Sequence, residues 1–148
     1  MGVEDGDGPR KLVAGVVVTH GQFANELLAA AEMIVGHIAH IAAISIGWHD
    51  DVDAASAEIE RAIEGVSQGV GVLLLTDMFG GTPTNIASMF LADGEVEVVT
   101  GVNLPMVIKL ASQPGGESLA EVARRVRDQG KESIHLAGDL LTAPGKKG

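Results

Sequence analysis

The chain has 148 residues, no cysteine and a formal net charge of −10. Its length suits one globular domain, and the missing thiols exclude a disulfide framework, a thiolate zinc site and a cysteine nucleophile. The acidic balance makes nucleic acid and anionic membrane surfaces poor partners. Because 46% of the residues are hydrophobic but only 3% are aromatic, we expect a core of aliphatic side chains.

Both ends of the chain are polar. Residues 1–11 are acidic and rich in glycine, and we expect a flexible extension there that lacks the basic start and apolar stretch of a signal peptide. Residues 138–148 are predicted to form a C-terminal tail, so the domain is expected over residues 12–137. No apolar stretch has the length of a membrane-spanning helix, and we expect the protein to be cytoplasmic.

Short apolar runs alternate with longer amphipathic stretches in the first half of the domain. Leu12–Val18 is a continuous apolar run, which is typical of a strand buried on both faces. Apolar residues then recur with a helical period over Phe23–Val35, and Gly36 is a natural end for that helix. A second strand is predicted over Ile41–Ile46, and a second amphipathic helix follows over Asp53–Val66.

The same alternation continues in the second half. Val70–Leu75 predicts a third buried strand. Thr82 and Pro83 predict the N-cap and first residue of a helix that continues over Thr84–Leu91. The remaining predicted elements are a strand, two helices and a last short strand: Glu95–Val99, Leu104–Ala111, Ser118–Gln129 and Ser133–Leu136.

The order of the first seven elements, β-α-β-α-β-α-β, predicts the fold class. Crossover connections between parallel strands are right-handed, so this order favours an α/β domain with a doubly wound, mainly parallel β-sheet and helices on both faces. Sites in such sheets form outside the carboxyl ends of the strands. We therefore expect the functional residues in the loops that follow the strands.

Two side chains at strand ends predict a nucleophile. His20 comes directly after the first strand and Asp77 directly after the third. A carboxylate bonded to the Nδ1–H group of an imidazole fixes the tautomer and leaves the Nε2 lone pair free to attack. Taken singly, a partly buried loop histidine and a turn or capping carboxylate are the ordinary alternatives. Together they favour a nucleophile or general base over a metal site, because no third ligand is evident.

The loop Gly80-Gly81-Thr82 predicts an anion-binding helix start. Backbone N–H groups at a helix N-terminus attract an anionic group such as phosphoryl, and Thr82 can both cap the helix and offer its hydroxyl to a phosphoryl oxygen. An ordinary strand-to-helix turn remains the alternative. The GxxxxGK[ST] and GxSxG patterns are absent, which excludes a P-loop nucleotide site and disfavours a serine hydrolase.

A carrier that passes a group between proteins also needs a surface on which its partners dock. Four apolar residues around this edge predict that surface to be apolar: Met78, Phe79, Leu104 and Met106.

The other histidines carry no comparable pattern. His37 and His40 are three residues apart, but no carboxylate cluster supports a metal site, and we interpret both as surface residues. His135 belongs to no motif. A further histidine is followed by acidic residues that we interpret as solvated loop charges: His49, Asp50, Asp51 and Asp53.

Four segments occur in order along the chain: GVVVTHG (Gly15–Gly21), LLAAAEMIVG (Leu27–Gly36), TDMFGGTPTNIAS (Thr76–Ser88) and TGVNLPMV (Thr100–Val107). In this order and spacing they resemble the IIA components of mannose-type (mannose/sorbose) permeases in the bacterial phosphotransferase system (PTS). The resemblance covers about Val13 to Glu132, and four co-linear motifs make it more specific than any one of them.

The resemblance implies that His20 is phosphorylated at Nε2, that Asp77 is its hydrogen-bond partner, and that Thr82 contacts the phosphoryl group. It implies transfer from phospho-HPr to His20 and onward to a IIB component, with the membrane involved only through the permease subunits. No metal and no organic cofactor is implied. Family members have a doubly wound parallel sheet, often with a strand contributed at the dimer interface, so we expect a homodimer.

Two alternatives use the same His20. One is a regulatory module whose phosphorylation state controls a partner, and the other is the phosphotransfer subunit of dihydroxyacetone kinase, which has a similar fold. The segments GGTPTN and GVNLPM resemble the permease family better. A small-molecule hydrolase built on the His-Asp pair is disfavoured, since no nucleophile or oxyanion motif accompanies the pair.

Overall fold

A computed structural model describes residues 10–47 and 51–141 of the chain. In this part of the molecule four strands form one sheet: β1 (Ala14–His20), β2 (Ile41–Ile46), β3 (Val72–Thr76) and β4 (Val96–Thr100). The helices are α1 (Phe23–Val35), α2 (Val52–Val66), α3 (Gly81–Ser88), α4 (Leu104–Ala111), α5 (Leu119–Glu132) and α6 (Ala137–Leu141). None of these helices is long and apolar enough to cross a bilayer.

The sheet is parallel throughout, with strand order β2-β1-β3-β4. β1 lies at the centre, where Val18 pairs with Ile44 of β2 and with Thr76 of β3. The chain winds outward from β1 to β2, then returns past β1 to form β3 and continues to β4. The winding direction therefore reverses between β1 and β3, and open α/β sheets place their ligand sites at the carboxyl ends of such a strand pair.

Alternating side chains of the strands build a core on each face of the sheet. Val17 of β1 packs with residues of α1, α4 and α5 on one face. Val16 and Val18 pack with residues of α2 and α3 on the other. The predicted doubly wound sheet with helices on both faces is confirmed. The prediction of an aliphatic core is also confirmed, since the buried hydrophobic side chains of the described residues include no aromatic ring.

Gly15 sets how closely α4 approaches the sheet. A Cβ atom built on Gly15 would collide with Cδ2 of Leu110, a fully buried side chain of α4. Any larger residue at this position would push the helix away from the centre of β1. The glycine inside this apolar strand is therefore a packing requirement of the core.

His40 corrects one of the sequence-based interpretations. It is buried just before β2, and its Nε2 atom lies 3.2 Å from the carbonyl oxygen of Leu110. The last carbonyl groups of a helix have no hydrogen-bond partner within the helix. The His40 side chain, which is distant from α4 in sequence, satisfies one of them. The prediction of a surface residue was wrong for His40. It is confirmed for His37, whose exposed Nδ1 lies 3.4 Å from Glu32.

The predicted strand over residues 133–136 was wrong. α5 continues to Glu132, an irregular segment follows, and α6 begins at Ala137. A strand needs a neighbouring strand for its N–H and C=O groups, and residues 134–136 pair with none of the described strands. Ile134 and Leu136 are left exposed.

The acidic segment around residue 50 is only partly described. His49 and Asp50 lie outside the described residues. Asp51 is the N-cap of α2, where its Oδ2 accepts a hydrogen bond of 3.1 Å from the N–H group of Ala54. Asp51 and Asp53 are both exposed, which agrees with their interpretation as solvated charges, but Asp51 caps α2 and Asp53 lies in its first turn, so neither is in a free loop. His135 is exposed.

We predict that Ser118→Ala lowers the free energy of unfolding by about 1 kcal/mol. Ser118 and Glu121 form a reciprocal capping box at the start of α5, with bonds of 2.9 and 3.1 Å. Chemical denaturation of both proteins measures the difference. Ser118→Asp is the control, since aspartate caps equally well and should retain the stability. Equal unfolding midpoints for Ser118→Ala and the wild type would contradict the prediction.

Candidate functional site

The site lies where β1 and β3 end side by side at the switch point of the sheet. His20 is the last residue of β1, and Asp77 follows the last residue of β3. The sequence placed His20 in a loop after the strand, whereas β1 in fact extends two residues further. Pairing of His20 with Ile46 of β2 holds its backbone in the sheet.

His20 and Asp77 are joined by two hydrogen bonds to one carboxylate oxygen. Oδ2 of Asp77 lies 2.7 Å from Nδ1 of the imidazole and accepts a 3.0 Å bond from the backbone N–H of His20. A carboxylate can only accept, so Nδ1 carries the proton and Nε2 keeps its lone pair in the neutral ring. The His20 side chain is 48% exposed and that of Asp77 is 16% exposed. Nε2 thus belongs to a half-exposed ring that Asp77 holds through its Nδ1 atom.

The pKa of Asp77 lies below its ordinary value because of His20. Burial alone raises the pKa, but the hydrogen bonds from the backbone N–H and the side chain of His20, together with its charge, outweigh burial. The carboxylate form is therefore the one that the site stabilises.

We predict that Asp77 titrates below its ordinary pKa of 3.8. A lowered pKa in the folded state means that this group adds stability above the unfolded-state value and loses it as the pH falls through the folded value. The 13C chemical shift of the Asp77 carboxyl carbon, followed from pH 6 downward, measures the midpoint. In His20→Ala the midpoint should move upward, since two of the interactions that lower it are gone. A wild-type midpoint at or above 3.8 would refute the assignment.

The start of α3 also differs from the prediction. Gly80 is the N-cap and Gly81 the first helical residue, with φ of 81° and 83°. These left-handed angles turn the chain sharply from β3 into the helix, and they favour glycine. Thr82 is therefore the second residue of the helix and not its cap, and Pro83 is the third. Proline is tolerated there because no carbonyl within the helix awaits its N–H group.

Gly81 lies against the reactive edge of the imidazole. A Cβ atom on Gly81 would lie 3.4 Å from Cε1 and 3.5 Å from Nε2 of His20. Nε2 therefore points toward the first turn of α3, where backbone N–H groups are unpaired within the helix and carry partial positive charge. The hydroxyl-bearing Thr82 is exposed next to it. The structure thus brings all the predicted site residues to one place.

Three threonines that the sequence analysis did not identify hold this arrangement. Thr84 is buried, and its hydroxyl donates to the carbonyl of Met78 while accepting a 2.7 Å bond from the hydroxyl of Thr76. These bonds close the loop that carries Asp77. The hydroxyl of Thr19 accepts a 2.7 Å bond from the N–H of Ala24 in the first turn of α1 and so ties β1 to that helix. A threonine flanking a loop is too common a sequence feature to have marked them.

The apolar residues around this edge do not all reach the surface. Met78 and Phe79 are exposed. Met106 is buried against Gly130, and Leu104 is half-buried within the core of that face. The prediction of an exposed apolar residue was therefore wrong for Met106, which α4 turns inward, whereas Leu104 remains partly exposed.

Among residues 10–47 and 51–141, no group of three or more His, Asp or Glu side chains is placed to hold a metal ion.

Comparison with known proteins identifies one family. The model of the EIIA-man family, described as "PTS system fructose IIA component", matches residues 14–127. The mannose-specific EIIAB component of the PTS from Escherichia coli K12 is 35% identical over 129 residues, which are 82% of this chain and 38% of that protein. This chain thus spans well under half the length of that relative.

Other relatives match over nearly their whole length. The fructose-specific EIIA component of the PTS from Bacillus subtilis is 24% identical over 131 residues, covering 88% of this chain and 90% of the relative. The solved structure of the mannose/sorbose-specific IIA subunit of the phosphotransferase system from Enterococcus faecalis is 29% identical and superposes with a TM-score of 0.77, covering 92% of this chain and 99% of that one.

Proposed function

The chain belongs to the EIIA-man family, the mannose-type IIA components of the sugar phosphotransferase system, and we propose that its His20 accepts a phosphoryl group from phospho-HPr and passes it to a IIB component. The observation that carries the proposal is the 2.7 Å contact between Nδ1 of His20 and Asp77, which leaves Nε2 free beside Gly81. We expect the exchange to take place in the cytoplasm.

The proposed step is a direct displacement at phosphorus. The Nε2 lone pair of His20 attacks, an N–P bond forms, and the bond between phosphorus and the donor atom breaks with its electron pair leaving on the donor. Nδ1 keeps its proton, so the ring gains positive charge, and the Asp77 carboxylate at 2.7 Å stabilises that charge. Onward transfer is the same displacement with His20 as the leaving group.

The first turn of α3 is the proposed phosphoryl site. Gly81, the first residue of α3, lies against Nε2, so we expect the N–H groups of this turn and the hydroxyl of the exposed Thr82 to act as donors. Donors aimed at the equatorial oxygens stabilise a phosphoryl group in flight without chemistry of their own. A side chain at residue 81 would occupy the space beside Nε2. The glycine leaves this space open, which supports its proposed use by the phosphoryl group.

The proposal is tested by following the transfer of radiolabelled phosphate from protein to protein. With [32P]phosphoenolpyruvate, enzyme I and HPr, the label should appear on this protein and then on an added IIB component. Labelling without onward transfer would favour the regulatory alternative. Failure of phospho-HPr to label the protein would overturn the proposal.

We also propose that the chain forms a homodimer through the open edge of β4. A groove runs between this strand and α5, lined at one end by Val96 and Leu119 and at the other by Thr100 and Arg127. Among the described residues no strand pairs with β4 on this side. Ile134 lies at the rim of this groove, and both Ile134 and Leu136 are exposed apolar side chains that a second copy would cover.

We predict that sedimentation measures about twice the 15.2 kDa chain mass at micromolar concentration. Ile134→Asp combined with Leu136→Asp should shift the protein to a monomer, because introduced carboxylates oppose burial in an interface. Met33→Asp, on an equally exposed side chain of α1, is the control and should leave the mass unchanged. A wild-type monomer would refute the dimer.

A further inference from the structure

A buried pair of hydroxyl groups lies next to the loop that carries Asp77. Thr76 is fully buried and Thr84 is 4% exposed, and their Oγ1 atoms lie 2.7 Å apart. The Thr84 hydroxyl donates its one proton to the carbonyl oxygen of Met78, so Thr76 is the donor to Thr84. An aliphatic side chain would avoid the cost of burying a hydroxyl at either position. Buried polar groups that are fully bonded fix one arrangement of the chain around them.

The two residues that flank Asp77 in the chain are both anchored. Thr76 is the last residue of β3, and its carbonyl oxygen accepts a 2.9 Å bond from the N–H of Val102. Met78 directly follows Asp77, and its carbonyl oxygen is bonded to Thr84 of α3. The backbone that carries the Asp77 carboxylate is therefore held by the sheet on one side and by α3 on the other.

Side-chain packing contributes little to holding the loop between β3 and α3. Met78 is 55% exposed and Phe79 is 84% exposed. Gly80 and Gly81 follow with φ of 81° and 83°, and glycine has more conformational freedom than any other residue. The bond from Thr84 to Met78 is therefore well placed to limit movement of the loop relative to α3.

We infer that Thr84 is a positioning residue, which through the Met78 carbonyl holds the Asp77 carboxylate in place beside the first turn of α3. The inference rests on the proposed function, because Asp77 orients His20 and that turn is the proposed phosphoryl site. Oδ2 of Asp77 bonds to both Nδ1 and the backbone N–H of His20, at 2.7 and 3.0 Å. A small displacement of the Asp77 backbone therefore weakens both bonds. Thr84 is buried and bonds to Thr76 and Met78, so it acts through Asp77.

Thr84→Val tests the inference, because valine has nearly the shape of threonine and lacks the hydroxyl. Rapid-quench measurement should give a maximal rate of transfer from phospho-HPr about fivefold below wild type, as for loss of one neutral hydrogen bond. The KM for phospho-HPr should be unchanged, since a buried side chain makes no contact with the donor. Thr84→Ala should slow transfer to a similar extent, because it lacks the hydroxyl without placing a methyl group against Met78. Thr84→Ser keeps the hydroxyl and should restore most of the rate.

Two further variants separate this role from a loss of stability. Ser118→Ala removes a hydroxyl hydrogen bond at the start of α5, so it should lower the unfolding midpoint and leave the transfer rate at the wild-type value. Thr84→Val combined with Asp77→Ala should transfer no more slowly than Asp77→Ala alone, because a residue that acts through Asp77 has no effect once the carboxylate is gone. Thermal unfolding verifies that each variant is folded under the assay conditions.

Nitrogen-15 shifts of His20 give a readout that needs no phosphoryl transfer. The population protonated at Nε2 should grow in Thr84→Val and stay near the wild-type value in Thr84→Ser. A wild-type rate in Thr84→Val and Thr84→Ala, or an unchanged tautomer, would overturn the inference and leave the proposed function intact. A rate loss that adds to that of Asp77→Ala would also overturn it, since Thr84 would then act by another route. If phospho-HPr does not label the wild type, the proposed function fails, and the tautomer still tests whether Thr84 positions Asp77.

Discussion

Replacing His20 with alanine is expected to abolish phosphoryl acceptance from phospho-HPr. His20 is the side chain whose nucleophilic nitrogen faces the first turn of α3, and its ring is fixed by Asp77 at 2.7 Å. The other described histidines are placed differently: His40 is buried against Leu110, and His37 and His135 are exposed away from Asp77. The measurement is 32P incorporation, with the acid lability of the product identifying phosphohistidine.

His37→Ala is the matched control, since it removes an exposed imidazole that pairs with a carboxylate at 3.4 Å. It should be labelled as fast as the wild type. Full labelling of His20→Ala would remove His20 from its proposed role, and it would do so whatever the downstream acceptor is. Circular dichroism should show both variants folded, because the two side chains are exposed and make no core contact.

Asp77→Ala is expected to keep the fold and to slow phosphoryl transfer roughly 10- to 150-fold, the equivalent of losing one hydrogen bond to a charged group. Without the carboxylate, nothing selects the tautomer with its proton on Nδ1, and a ring protonated on Nε2 has no lone pair there. The positive charge formed on the ring also loses its partner. Rapid-quench measurement of transfer from phospho-HPr gives the rate.

The fold should tolerate this change because Asp77 follows the last residue of β3 and belongs to neither hydrophobic core. Asp77→Asn is the second variant, since its amide oxygen can still accept from Nδ1 but carries no charge. It should transfer at an intermediate rate.

Nitrogen-15 shifts of His20 separate a positioning role from a merely structural one. The population protonated at Nε2 should grow in Asp77→Ala and much less in Asp77→Asn. Wild-type transfer rates in Asp77→Ala, or an unchanged tautomer, would remove the role assigned to Asp77.

Most of the fold could be predicted from local patterns. The continuous apolar runs of β1 and β3 indicate burial on both faces, and the alternating strands and helices indicate a parallel sheet. The incorrect predictions concern residues whose position depends on long-range contacts. The residues around Ile134 have the composition of a strand, but no strand edge within the described chain receives them. His40 has the sequence context of a surface turn, yet the end of α4 covers it.

Part of the site could also be predicted from local patterns. His20 and Asp77 could be placed together because both follow strands, and strands that are parallel end at one edge. The start of the helix at Gly80 could not be predicted, since Thr82 and Pro83 resemble a conventional N-cap and first helical residue. Two left-handed glycines begin the helix earlier and bring Gly81 against Nε2. The bond between Thr76 and Thr84 depends on how the intervening loop closes, which sequence spacing does not determine.

The sequence by itself determined the fold class, the excluded chemistries and the identity of the histidine and its carboxylate, because composition and periodicity are local and strand direction follows from the order of the elements. Only the tertiary structure decided that one carboxylate oxygen holds both the ring and the backbone of His20. It also decided that Met106 faces the core while Phe79 faces solvent. Both outcomes depend on how the helices pack across the sheet.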